Sequence, residues 1–279
     1  MKTTLLYTIA FFTLLARAET TTVTVDANAG KPISPDLVGI FFEDLNYAAD
    51  GGLYAELVQN RSFEYNATEQ TTWGPLTGWE FVKRGGGAGE LWVDSSCPIC
   101  PNNPHCALIR IGNAGDGVGL SNAGFDGIPV KAGEKYDFSV FARMLNVGSG
   151  RDNKPVGKLP LSVRLETKEG TVLGEAGVEA SSPAEWKHLT ATITASQTVP
   201  DARLVVLAKV PGLIALDEIS LFPQKTFKGR RNGLRADLAQ TIADLHPKFM
   251  RFPGGCLTHG DGIGNIYRWK DTIGPVEQR

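Results

Sequence analysis

Two short apolar runs in this chain end in residues suited to bind a polar ligand. Glu43 and Asp44 follow Leu37-Val38-Gly39-Ile40-Phe41-Phe42, and Arg251 lies in Lys248-Phe249-Met250-Arg251-Phe252. A carboxylate only accepts hydrogen bonds, so Glu43 at a strand end is suited to hold hydroxyl groups. The guanidinium of Arg251 is a rigid fork of donors that orients a carboxylate. The alternative is structural: an Arg–carboxylate pair that holds the two strand ends together.

The first run is apolar at nearly every position, the pattern of a strand buried on both faces in a parallel sheet. Before it, residues 20–25 alternate β-branched and polar side chains, which predicts another strand. After it, residues 51–59 carry Leu53 with Leu57 and Tyr54 with Val58, which predicts a helix. From about Trp73 to Pro223 the pattern changes to short alternating runs divided by Gly- and Pro-containing turns. Examples are Tyr136-Asp137-Phe138-Ser139-Val140-Phe141-Ala142-Arg143 and Arg203-Leu204-Val205-Val206-Leu207-Ala208. Such runs predict a β-sandwich. Helical spacing returns at Leu234, Leu238, Ile242 and Leu245, with Asn232 as N-cap and Pro247 as stop.

Strand–helix units thus flank the sandwich. The expected fold is a partial (β/α)8 TIM barrel interrupted by an inserted jelly-roll β-sandwich. The expected segments are 1–18 as a signal peptide, 19–72 as the first barrel piece, 73–224 as the sandwich and 225–279 as the second barrel piece. A complete barrel of this kind takes ~250 residues, so the chain reads as a C-terminally truncated fragment.

Lys2, the apolar residues 5–15 and Ala16-Arg17-Ala18 have the layout of a cleavable export signal. That predicts a secreted, extracellular protein. The 28 Lys and Arg are scattered and balanced by 30 Asp and Glu, which argues against nucleic acid or an anionic membrane as partner. Three of the four cysteines fall in Cys97-Pro-Ile-Cys100-Pro-Asn-Asn-Pro-His-Cys106. No matching pair of further ligands exists for zinc, so the expectation is a disulfide between Cys106 and either Cys97 or Cys100. Cys256 is expected to be a free, buried thiol. Asn60-Arg61-Ser62 and Asn66-Ala67-Thr68 are glycosylation sequons, Asn66 being the stronger because Asn60 lies in an apparent structured element. Gly115-Asp116-Gly117-Val118-Gly119 lacks the full dinucleotide-binding spacing and reads as a turn.

At these residues the chain resembles glycoside hydrolase family 51, the retaining α-L-arabinofuranosidases. The motifs are Gly39-Ile40-Phe41-Phe42-Glu43-Asp44-Leu45-Asn46, Gly51-Gly52-Leu53-Tyr54-Ala55-Glu56-Leu57 and Met250-Arg251-Phe252-Pro253-Gly254-Gly255-Cys256, with Tyr267-Arg268-Trp269-Lys270 following. The middle segment separately resembles a family 4/9-type carbohydrate-binding module. The resemblance implies that Glu43 binds arabinofuranose hydroxyls and that Arg251 positions the nucleophile. It implies that Cys256 stands where some members use a sugar-contacting asparagine. Both catalytic carboxylates of the family come later, the first in an Asn-Glu pair that this chain lacks, so no catalytic residue is assigned here. No cofactor or metal is implied, and the expected partner is an arabinose-containing polysaccharide or oligosaccharide. Oligomeric state has no sequence signal. The competing expectation is a non-catalytic secreted carbohydrate-binding protein, with Trp73, Trp79, Trp92 and Trp186 as stacking faces; Trp79 and Trp186 are better placed as sandwich core.

Overall fold

The computed structural model describes residues 21–145, 157–181, 185–260, 262–263 and 266–279. The expected signal peptide, residues 1–18, lies outside them. Residues 21–37 form a unit of their own with two single 3-10 turns, Ala27–Ala29 and Pro35–Leu37. The strand expected at residues 20–25 is not formed over the described residues 21–25. Alternation makes a strand only where a neighbouring strand supplies hydrogen-bond partners.

In the second unit, from Val38 onward, the alternating runs become strands. One antiparallel sheet has the order β10-β7-β12-β4-β3, with β3 Ala88–Asp94, β4 Cys106–Asn113, β7 Lys135–Leu145, β10 Lys187–Thr194 and β12 Gly212–Pro223. The other has the order β2-β5-β11-β8-β9, with β2 Trp79–Arg84, β5 Gly117–Asn122, β8 Leu159–Glu166, β9 Val172–Ala180 and β11 Val199–Ala208. The short β6, Ile128–Val130, also pairs with β11. In β7, Tyr136, Phe138, Val140, Ala142 and Met144 are buried on alternate positions. They join Leu120, Val163, Leu165, Leu204, Val206, Ile214 and Leu216 in one apolar core. Period-2 burial on both sheets is what two sheets packed face to face require.

The helix expected at residues 51–59 does not form. Gly51 has φ +80°, and the chain then runs extended along the sandwich: Leu57 N–H donates to Leu221 O (3.0 Å), and Ile219 N–H donates to Arg61 O (2.9 Å). Val58 and Phe63 are buried in the sandwich core. The apolar spacing that suggested a helix serves an extended segment instead, and the sandwich packing begins before residue 73.

The segments entering and leaving the sandwich lie side by side. Ala55 N–H donates to Gly233 O (3.2 Å), and Arg235 N–H donates to Leu53 O (2.9 Å). An insertion with adjacent ends leaves the flanking pieces free to meet. They do: β1, Ile40–Phe41, pairs in parallel with β13, Met250–Arg251. Helix α1, Ala236–Asp244, precedes β13. Its N-cap is Arg235 rather than the expected Asn232, which sits in the preceding turn with φ +48°. The flank is a two-stranded parallel ladder with helix α1 and, after β13, a single helical turn, and Phe41, Phe249 and Phe252 remain more than half exposed.

Candidate functional site

The parallel ladder places the candidate ligand-binding residues. Phe42 N–H donates to Arg251 O (2.9 Å) and Asp44 N–H to Pro253 O (3.1 Å), so the pairing continues past both short strands. Strand alternation puts Phe41, Glu43 and Arg251 on one face and Phe42 and Phe252 on the other. On the first face the Arg251 guanidinium lies over the Phe41 ring, 4.7 Å from its centroid. On the second the Phe42 and Phe252 rings are 5.8 Å apart.

Glu43 is held by backbone. Its Oε1 accepts the Cys256 N–H at 3.0 Å. Gly254 permits this approach: it has φ +125°, and a Cβ there would stand 2.3 Å from Glu43 Cγ. The structure therefore brings Glu43, Arg251 and Cys256 together at the carboxyl ends of two parallel strands, where α/β proteins build their sites. Two expectations are corrected. No ion pair joins Arg251 to Glu43 or Asp44; Asp44 Oδ1 instead accepts the Ala49 N–H (2.8 Å). Cys256 is exposed rather than buried, because it opens the short turn of helix α2, Cys256–His259, at the edge of the flank, and it meets Glu43 through its amide.

The other sequence candidates lie on the sandwich side. All four cysteines are thiols, with Cys97 Sγ and Cys106 Sγ 3.6 Å apart. Asn66 is exposed. Asn60 is 5 % exposed, and its Nδ2 donates to Pro75 O and Thr77 O, both at 2.9 Å. A glycan on that nitrogen would displace both bonds inside the fold, so the Asn60 sequon does not suit the native structure. The four tryptophans considered as stacking faces are already engaged. Trp79 is core, and its Nε1 donates to Asn60 O (2.8 Å). Trp73 stacks on Tyr65 at 4.1 Å, Trp92 lies beneath Arg110, and Trp186 packs against Cys106, Leu108 and Ala215.

Sequence reasoning missed a buried charged cluster beside the sandwich. Glu56 Oε1 accepts N–H groups from Leu57, Val58 and Leu221, and Glu56 Oε2 accepts the Ser220 hydroxyl. Arg61 Nε pairs with Glu218 Oε2 (3.0 Å), and Arg61 Nη1 with Glu56 Oε2 (3.7 Å). Burial pushes the Glu56 carboxyl up to about 7, against the pull of Arg61 and the hydrogen bonds. Asp217 is fully buried, and its Oδ2 has no hydrogen-bond partner. Burial, reinforced by Glu218, raises it to about 9. The available signal was an acidic pair, Asp217-Glu218, inside the apolar run 213–221. Beside the cluster a cleft of about 470 Å³ is lined by Arg61, Phe141, His188, Glu218, Ser220 and Arg231.

A raised carboxyl has a definite signature. Below the unfolded value of about 3.9 both states hold the Asp217 proton; above it, up to about 9, only the folded state does. Stability therefore falls as pH rises through that window, by at most about 1.4 kcal/mol per pH unit for this proton. Asp217→Asn removes the titration without changing shape. Urea midpoints between pH 6 and pH 9 should fall less in the variant than in the parent, and equal slopes would show that Asp217 is ionised throughout.

Among the described residues, no three His, Cys, Asp or Glu side chains are grouped to hold a metal ion, and no helix is long and apolar enough to cross a membrane.

The chain is similar to several known proteins. Residues 241–279 match the family model described as Alpha-L-arabinofuranosidase 1 domain. An extracellular exo-alpha-L-arabinofuranosidase of Streptomyces chartreusis is 41% identical across 96% of this chain and 31% of its own. Alpha-L-arabinofuranosidase 1 of Arabidopsis thaliana is 36% identical across 92% of this chain and 37% of its own. The solved structure of arabinose-bound MgGH51 α-L-arabinofuranosidase superposes with a TM-score of 0.72 at 31% identity, over 86% of this chain and 38% of that one. The chain is thus similar to α-L-arabinofuranosidases, and it spans about a third of the length of the curated relatives it matches.

Proposed function

We propose that this chain forms the part of a secreted α-L-arabinofuranosidase that grips the terminal arabinofuranosyl residue, and that the carboxylates performing the chemistry lie outside it. The observation that carries this reading is the Glu43 carboxylate, held through Oε1 by the Cys256 amide at the end of β1, with no hydrogen bond to Oε2 among the described residues. Glu43 accepts hydrogen bonds from sugar hydroxyls there. Arg251, braced on Phe41 and in no ion pair with a carboxylate among the described residues, orients an acidic group of the remaining protein. In this reading β1 and β13 are two neighbouring strands of a (β/α)8 barrel, and the sandwich is a jelly-roll module inserted between them. The substrate is an arabinose-containing polysaccharide or oligosaccharide.

The reaction is a retaining double displacement. One carboxylate attacks the anomeric carbon while a second, ~5–5.5 Å away, protonates the leaving oxygen and then activates water. It needs no cofactor. The name of the Streptomyces relative supports an extracellular setting, as do the leader and the exposed Asn66 sequon.

The test compares the chain alone with a chimera in which it replaces the matched third of the Streptomyces enzyme. The chimera should release arabinose from an aryl arabinofuranoside, and the chain alone should release none. Hydrolysis by the chain alone would overturn the assignment of the catalytic carboxylates to other segments.

A further inference from the structure

We propose that Cys97 and Cys106 form an intramolecular disulfide that closes the neck of the β3–β4 loop and leaves Cys100 as a free thiol. The inference does not depend on hydrolase activity. Cys106 opens β4 opposite Asp94, the last residue of β3, and Cys97 lies three residues beyond Asp94. The loop therefore returns to its starting point, and it brings the two sulfurs to 3.6 Å.

Both partners are held where they meet. Cys97 packs with Trp92 and Trp186 on the small apolar cluster of Cys106, Leu108 and Ala215. The Ser96 N–H donates to Asp94 Oδ1 (2.6 Å), which fixes the chain just before Cys97. The descending limb is pinned twice. Asn103 Nδ2 donates to Glu218 Oε1 (3.1 Å), and His105 meets Glu64 through its N–H (2.7 Å) and Nδ1 (2.6 Å). Cys100 sits at the far turn, where its carbonyl accepts the Asn103 N–H. Pinned thiols 3.6 Å apart stand close to S–S bonding distance, ~2.05 Å.

The step requires an external disulfide as oxidant. Cys97, the more accessible thiol, attacks it as a thiolate, forms a mixed disulfide and expels one thiolate. Cys106 then attacks the Cys97 sulfur; the new S–S bond replaces the mixed one and the second thiolate leaves. Two cysteine thiols are oxidised, the external disulfide is reduced to two thiols, and the two protons pass through solvent to the leaving thiolates. Burial raises the Cys106 thiol, so the second attack quickens with rising pH.

Trypsin leaves residues 85–110 as one peptide containing all three loop cysteines, so pairing is read by differential alkylation. The folded chain is equilibrated with oxidised glutathione, free thiols are blocked, and the product is reduced and labelled with a second reagent. Fragmentation should place the second label on Cys97 and Cys106 alone, and the first on Cys100 and Cys256. The oxidised form should melt about 5 °C or more above the reduced form. That shift should persist in Cys100→Ser and vanish in Cys97→Ala and Cys106→Ala. Cys97→Ala guards the test should the buried Cys106 variant fail to fold. Second label on Cys100 or Cys256, or none on any cysteine, would overturn the proposal.

Discussion

Arg61→Met should lower stability at pH 7 by roughly 3 kcal/mol. Arg61 is the cation shared by Glu56 and Glu218, whose side chains are 3% and 6% exposed. Methionine fills much of the same space and supplies no charge, so two buried carboxylates lose their compensating partner. The Arg61 side chain is itself 24% exposed, which places the loss at the low end of the range for broken buried pairs. The thermal midpoint should fall by about 6–12 °C. Acid should soften the effect. Glu56 and Glu218 are both raised by burial, Glu56 to about 7, so near pH 5 the uncompensated groups take up protons. Glu218→Gln added to Arg61→Met should recover part of the loss, because the pair is directly coupled. A loss under about 1 kcal/mol at pH 7, or an equal loss at pH 5, would show that the cluster is not held by charge.

The sandwich was legible because half-buried strands write their burial into alternate residues. Tyr136, Phe138 and Val140 on β7 and Leu204 and Val206 on β11 point inward as the alternation requires. Residues 51–59 were misread because the same apolar spacing fits a helix or an extended segment. What decides between them is distant in sequence: Glu56 is captured by Ser220 and Leu221, which lie 164 and 165 residues further on. The charged cluster was hidden for the same reason, since Arg61, Asn103 and Glu218 meet only after folding.

At the site, Glu43 and Arg251 could be found because both stand at the ends of apolar runs. The mode of contact could not. An acid–base pair was as consistent with the sequence as the arrangement formed, in which Arg251 rests on Phe41 and Glu43 takes a backbone amide. That amide is positioned by the left-handed backbone at Gly254, and a residue type does not announce its φ.

The second large effect lies at Glu43. In the chimera with the Streptomyces enzyme, Glu43→Gln keeps an oxygen for the Cys256 N–H but removes the negative charge that sugar hydroxyls would meet. A hydrogen bond to a charged group contributes about 1.5–3 kcal/mol, so kcat/KM should drop about 10- to 150-fold. Gly254→Ala should lose at least as much, because its new Cβ drives into Glu43 Cγ. The thermal midpoint of Glu43→Gln should stay within a degree or two of the parent, since the amide oxygen still accepts the Cys256 N–H and the shape is unchanged. The deciding measurement is kcat/KM of the Glu43→Gln chimera on an aryl arabinofuranoside, taken beside its melting curve. A tenfold or greater loss with an unchanged melt is the result expected of a sugar-gripping carboxylate, and unchanged kcat/KM would contradict it.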